Sequence, residues 1–125
     1  VSIDYQDIAN QYEIKVHKVE KGDKYCEANG EDLYINSSFA AGKDEIFIGI
    51  YEDKDMEIAS FFHELGHCMS NNLKQFKREE LSKWDIELDA WVVGLNEAYK
   101  HNYSMKPSTF IYMVECLNSY VKYHK

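Results

Sequence analysis

Proline is nearly absent from this 125-residue chain, with one residue beside six glycines. No Pro- or Gly-rich linker and no low-complexity tract can be drawn from so few, and no internal repeat is visible. Cysteine is limited to Cys26, Cys68 and Cys116, an odd number that cannot pair completely within one chain and that reads as reduced thiols in a cytoplasmic setting. The start of the sequence has no basic segment followed by an apolar one, so it does not read as a secretory leader. Long apolar runs are missing as well: Ile46 to Tyr51 and Trp91 to Leu95 fall far short of the roughly 20 residues a membrane span needs. Cations are outnumbered, 14 Lys plus Arg against 22 Asp plus Glu, for a net charge of −8. Such a surface repels phosphate backbones and anionic lipid, so neither nucleic acid nor a membrane is an expected partner. What is present, 45% hydrophobic and 14% aromatic residues, suffices for one domain over residues 1–125 to bury a core without staples.

The period of the apolar residues changes along the chain. Residues 5, 8, 9 and 12 mark one face of an opening helix, with Asp4 and Asp7 near the positive end of its dipole. From Ile14 and Val16 the period falls toward two, and Asn29-Gly30, between 25–27 and 33–35, has the chemistry of a type I′ hairpin turn. The β-branched and aromatic run from Glu45 to Tyr51 reads as a further strand. A small, mainly antiparallel sheet of three or four strands is expected over about residues 13–51. Helical periodicity then returns: one helix from Lys54 to Ser70, ended by Asn71-Asn72, and one from Arg78 to Lys100 with Leu81, Trp84, Leu88, Trp91 and Leu95 as its apolar stripe. A last helix starts at Pro107 with Phe110, Met113, Val114, Leu117 and Val121 inward. Strands segregated before helices predict an α+β fold.

The chemical signal is His63-Glu64-Leu65-Gly66-His67, an H-E-x-x-H string inside the second helix. Two imidazoles four residues apart leave a helix on one face, one turn apart, where they can share one metal ion. Glu64 leaves about 100° round from His63 and can act as a base rather than a ligand. A chain with this His and Glu content yields about 0.02 such strings by chance.

A catalytic zinc site usually has three protein ligands and one open position. The extended H-E-x-x-H-x-x-G-x-x-H pattern is excluded by Ser70 and Leu73. Candidates for the third ligand are His101, His124, Glu79, Glu80, Asp85, Glu87, Asp89 and Glu97. Glu79 and Glu80 suit an exposed first helical turn. Glu87 instead lies among Trp84, Leu88, Ala90 and Trp91, where an unpaired charge is costly and a metal would account for it.

His63, Glu64 and His67, followed after 19 residues by Glu87, resemble the zincins with His₂Glu ligation. Within that group, Phe62 to His67 together with Glu87-Leu88-Asp89-Ala90-Trp91 resemble the ImmA/IrrE family of small metallopeptidases. The resemblance implies a zincin-like domain with one zinc on His63, His67 and Glu87, and a close helix contact through Ala90. It also implies a protein substrate, in characterised cases a DNA-binding repressor that governs mobile-element or stress genes.

Zinc in such a site lowers the pKa of its water to about 7, and Glu64 takes the proton and returns it to the leaving amine. Tyr99, His101, Tyr103 and Tyr112 are candidate oxyanion donors. A peptide substrate could add along Glu45 to Tyr51 if that strand is an edge. Cys68, rotated off the ligand face, reads as a small buried hydrophobe, as do Cys26 and Cys116. Glu52, Asp53, Asp55 and Glu57 read as a solvated cap. Two other functions fit the sequence: a zinc-stabilised, catalytically silent interaction module, and an acidic decoy for a basic protein.

Overall fold

The first helix, α1 (Tyr5–Asn10), starts where the Asp4 side chain accepts the Asp7 amide at 3.0 Å, and it buries Tyr5, Ile8 and Ala9. A computed structural model describes residues 3–18, 38–41, 44–73 and 82–120 of the chain. After α1 the backbone turns through Glu13 at φ 57° into β1 (Lys15–Lys18). The other described strands are β2 (Ser38–Ala41) and β3 (Glu45–Ile48). The hairpin expected around Asn29-Gly30, and Cys26 with it, lie outside the described residues.

The described sheet has the order β1-β3-β2. β1 runs parallel to β3, with Lys15 opposite Glu45, while β2 runs antiparallel to it, with Ser38 opposite Ile48. The sheet is therefore mixed, not mainly antiparallel: hydrophobic periodicity marks a strand but carries no record of its partner's direction. β3 is also the central strand, with both hydrogen-bonding edges occupied by β1 and β2. No peptide can add along Glu45 to Ile48. Ile46 and Ile48 of β3 join Ile8, Ile14, Phe61, Phe62 and Leu65 in the main core.

Helix α2 (Lys54–Leu73) begins where Asp53 Oδ1 accepts the Asp55 amide at 2.9 Å. It runs past Ser70 and through Asn71-Asn72, because Asn permits a left-handed exit without requiring one and costs a helix only about 0.7 kcal/mol per residue. Helix α3 (Lys83–Lys100) starts at Lys83 rather than at Arg78. Ser82 is extended and forms a capping box with Asp85: its hydroxyl accepts the Asp85 amide at 3.1 Å, and Asp85 accepts the Ser82 amide at 3.3 Å. Helix α4 (Pro107–Asn118) begins at the proline, as expected. It buries Thr109, Met113 and Leu117, a narrow stripe that leaves Phe110 and Val114 exposed instead of in the core.

The buried stripe of α3 is Glu87, Ala90, Trp91, Gly94, Glu97 and Ala98. Its small residues face α2, while Leu88 and Leu95 pack beside Met113 and Leu117 in a second cluster. No helix among the described residues is long and apolar enough to cross a membrane.

Candidate metal centre

The site depends on how closely two backbones approach. A Cβ on Gly66 of α2 would lie 1.9 Å from the Ala90 carbonyl oxygen, and one on Gly94 of α3 would lie 2.0 Å from that of Phe62. Residue 66 thus meets residue 90 while residue 62 meets residue 94, so the helices pass in opposite directions with bare backbone at the crossing. Any side chain at Gly66 or Gly94 would force them apart. Ala90 makes the close contact expected of it. On this register Glu87, one turn before Ala90, reaches the helix turn that carries His67.

The imidazoles of His63 and His67 lie 4.7 Å apart, centroid to centroid. His63 Nε2 is 3.3 Å from Glu87 Oε1, and His67 Nε2 is 2.9 Å from Glu87 Oε2. One ligand atom from each of the three residues falls within a group no more than 4.8 Å across, so His63, His67 and Glu87 can hold a metal ion. Tetrahedral zinc at ordinary Zn–N and Zn–O lengths separates its ligand atoms by about 3.4 Å, close to these spacings. The donor chemistry also fits: His63 Nε2 is buried and makes no hydrogen bond, an expensive state for a nitrogen unless its lone pair has another use. Trp91 stacks on His63 at 4.2 Å with planes 8° apart and fixes the ring's direction. Glu64 is buried beside the triad but outside it, with Oε2 3.3 Å from His63 Nδ1.

Electrostatics within the group are strong. Burial works against charge on His63, yet the Glu64 and Glu87 carboxylates push its pKa up to about 9. Burial alone would raise Glu87, but His63 and His67 hold its carboxyl well below the usual carboxylate range. Cys68 is fully buried, with its pKa pushed up to about 12 chiefly by that burial, and its thiol donates to the Glu45 carbonyl oxygen at 3.8 Å, outside the group formed by His63, His67 and Glu87. Cys116 is only half-buried and lies beside the Tyr112 hydroxyl, so it is not the small buried hydrophobe expected.

The other candidates lie elsewhere. Asp85 belongs to the capping box, Asp89 accepts the Ser70 hydroxyl at 2.5 Å, and buried Glu97 accepts that of Tyr12. Glu79, Glu80 and His124 are outside the described residues. Tyr99 and His101 follow Glu87 by 12 and 14 residues, about 18 and 21 Å along the helix axis, and Tyr99 is 80% exposed. The Tyr103 hydroxyl donates to Asp55 Oδ1 at 2.7 Å. The Tyr112 hydroxyl, the last of the four expected oxyanion donors, is engaged with Cys116.

Sequence reasoning missed several neighbours of the site. Burial raises the pKa of both Tyr51 and Tyr120, and Glu64 raises each further, which places two unforeseen phenols within its electrostatic reach. Lys83 Nζ lies 3.9 Å from Glu87 Oε2. The acidic cap is only half solvated, because Asp55 and Glu57 are buried and Glu57 accepts the Tyr5 hydroxyl at 2.6 Å. Spacing of four between Lys83 and Glu87 was an available signal, whereas the tyrosines reach the site only through tertiary packing.

Compared with known proteins, the chain matches no family model, no curated sequence and no solved structure.

Proposed function

We propose that the chain is a zinc-dependent endopeptidase, a zincin-like domain of the ImmA/IrrE kind that hydrolyses a protein substrate in the cytoplasm. The observation that carries this reading is the convergence of His63, His67 and Glu87 on one small buried group in which His63 Nε2 makes no hydrogen bond, with Glu64 close by but outside the ligand set. His63, His67 and Glu87 would hold the ion. When bound, the ion would supply Lewis-acid activation of a water and of the scissile carbonyl at neutral pH. Glu64 accepts the proton of the attacking water and delivers it to the nitrogen of the leaving amine. Trp91 holds the His63 ring flat against α3, so the imidazole cannot rotate away while that proton moves. A regulatory or repressor protein of a mobile element or its host is the substrate class that the paired motifs suggest.

Glu64→Gln separates catalysis from metal binding. The variant should keep its zinc and fold while cleavage falls by roughly 10²- to 10⁴-fold, the usual contribution of a general base. In a cell lysate it should retain an intact partner that the unaltered chain releases as two fragments. Equal retention of the intact partner by both would show a binding module instead.

A further inference from the structure

We propose that Lys83 is a carboxylate-binding subsite beside the triad, so that the peptide held there carries an acidic group within one or two residues of the reacting carbonyl. This rests on the peptidase reading. Lys83 opens α3 one turn before Glu87 and on the same face, with Nζ 3.9 Å from Glu87 Oε2. Its side chain is 52% exposed while that of Glu87 is 7% exposed, so the ammonium stands between the ligand carboxylate and solvent. It also lies 5.4 Å from the centroid of the Tyr120 ring, whose face holds a cation in place.

The counter-charge available to Lys83 belongs to a residue with another task. Once Glu87 commits its charge to a metal ion, no other carboxylate among the described residues lies within ion-pairing distance of Lys83. The local charges then sum to an excess: a dication is balanced by Glu64 and Glu87, and the ammonium remains. On a chain of net charge −8, this ammonium is a local positive charge at the edge of the site that attracts an anionic group. Lysine offers a point charge on a flexible stem, which suits one carboxylate and does not require a bidentate partner. An extended peptide advances about 3.4 Å per residue, so the reach of Lys83 limits that carboxylate to the nearest one or two positions. It could belong to an Asp or Glu side chain or to the chain terminus of the peptide.

The test uses the full chain loaded with cobalt(II), whose visible spectrum reports binding without any turnover. Three hydroxamate-capped peptides are titrated: one with Asp and an amidated end, one with Asn and an amidated end, and one with Asn and a free terminal carboxylate. At low salt the unaltered chain should bind at least one of the acidic peptides about fivefold tighter than the neutral one. The preference should vanish in Lys83→Met and return in Lys83→Arg, with the cobalt spectrum unchanged before peptide is added. Which acidic peptide gains identifies a side chain or a terminus as the group recognised. Equal affinity for all three, or a preference that survives in Lys83→Met, would overturn the subsite while leaving the metal centre intact. Absence of a cobalt spectrum would instead overturn the metal centre and the subsite with it.

Discussion

Asp55 and Glu87 are equally buried carboxylates, 8% and 6% exposed, yet their surroundings differ in kind. Asp55 receives the Tyr103 hydroxyl at 2.7 Å and the Lys106 amide at 3.1 Å. Those donors tie the start of α2 to the loop before α4, and they are donors only in the sense that scaffolds need. Glu87 faces two imidazoles whose nitrogens can present lone pairs instead of protons, and one of them has no hydrogen bond at all. Burial alone therefore does not distinguish an anchor from a site. The distinction lies in the chemistry of the neighbouring groups: a hydroxyl and an amide that donate to Asp55, against imidazole nitrogens that can ligate a metal beside Glu87.

The largest expected effect falls on the Glu87 side. Glu87→Ala should weaken zinc binding by well over a hundredfold, more than the loss of an outer partner causes, while Asp89→Ala should change it little; competition against a zinc indicator reads both. Should Asp89→Ala release the metal instead, the phase assigned to α3 is wrong.

Next comes the crossing that brings Glu87 into range. Gly66→Ala puts a methyl group 1.9 Å from the Ala90 carbonyl. The helices must separate, at a cost of about 1–3 kcal/mol in denaturant unfolding, and zinc affinity should fall in the same variant. Normal affinity in a destabilised Gly66→Ala would show that the triad tolerates a shifted helix.

Asp55→Asn should do the opposite: lower stability by about 1–3 kcal/mol and leave zinc affinity unchanged. Burial opposes charge on Asp55, but Thr109, Tyr103 and Lys106 hold its carboxyl below the ordinary 3.8. A carboxyl lowered on folding contributes stability that is fully present above its unfolded value and is lost as pH falls through the folded one. The melting-temperature gap between the two chains should therefore be widest near neutrality and close on acidification from about pH 5 to pH 2. A gap independent of pH would mean that Asp55 acts through packing. The smallest effect is expected for Trp91→Leu, which keeps an apolar contact with His63 but not the flat stack, and should cost zinc affinity about tenfold.

Much of this division is legible in the sequence. His63, Glu64 and His67 follow from local helical geometry, which needs only the period of one helix; Glu87 stands out as a charge among apolar neighbours, and its choice over the other acidic candidates rests on the paired-motif resemblance as well as on helix phase. The start of α4 was equally local, set by Pro107. The misread features depend on what meets what. Asn71-Asn72 suggested an end that the helix does not take. The true start of α3 was written in Ser82 and Asp85, but that signal competes with any neighbouring polar residue. Parallel pairing of β1 with β3 joins residues separated by a long connection, which alternation cannot encode. The burial of Asp55 and Glu57 likewise rests on partners far away in sequence, Tyr103 and Tyr5, and Lys83 gains meaning only once Glu87 is known to face the imidazoles.

The metal centre itself is most directly tested by X-ray absorption at the zinc edge on the untagged chain, with His63→Ala alongside. One zinc per chain with imidazole nitrogen and carboxylate oxygen at about 2.0–2.2 Å, lost in His63→Ala, is the expected result. A sulfur ligand near 2.3 Å, an unchanged spectrum in His63→Ala, or a chain that takes up no zinc would contradict it.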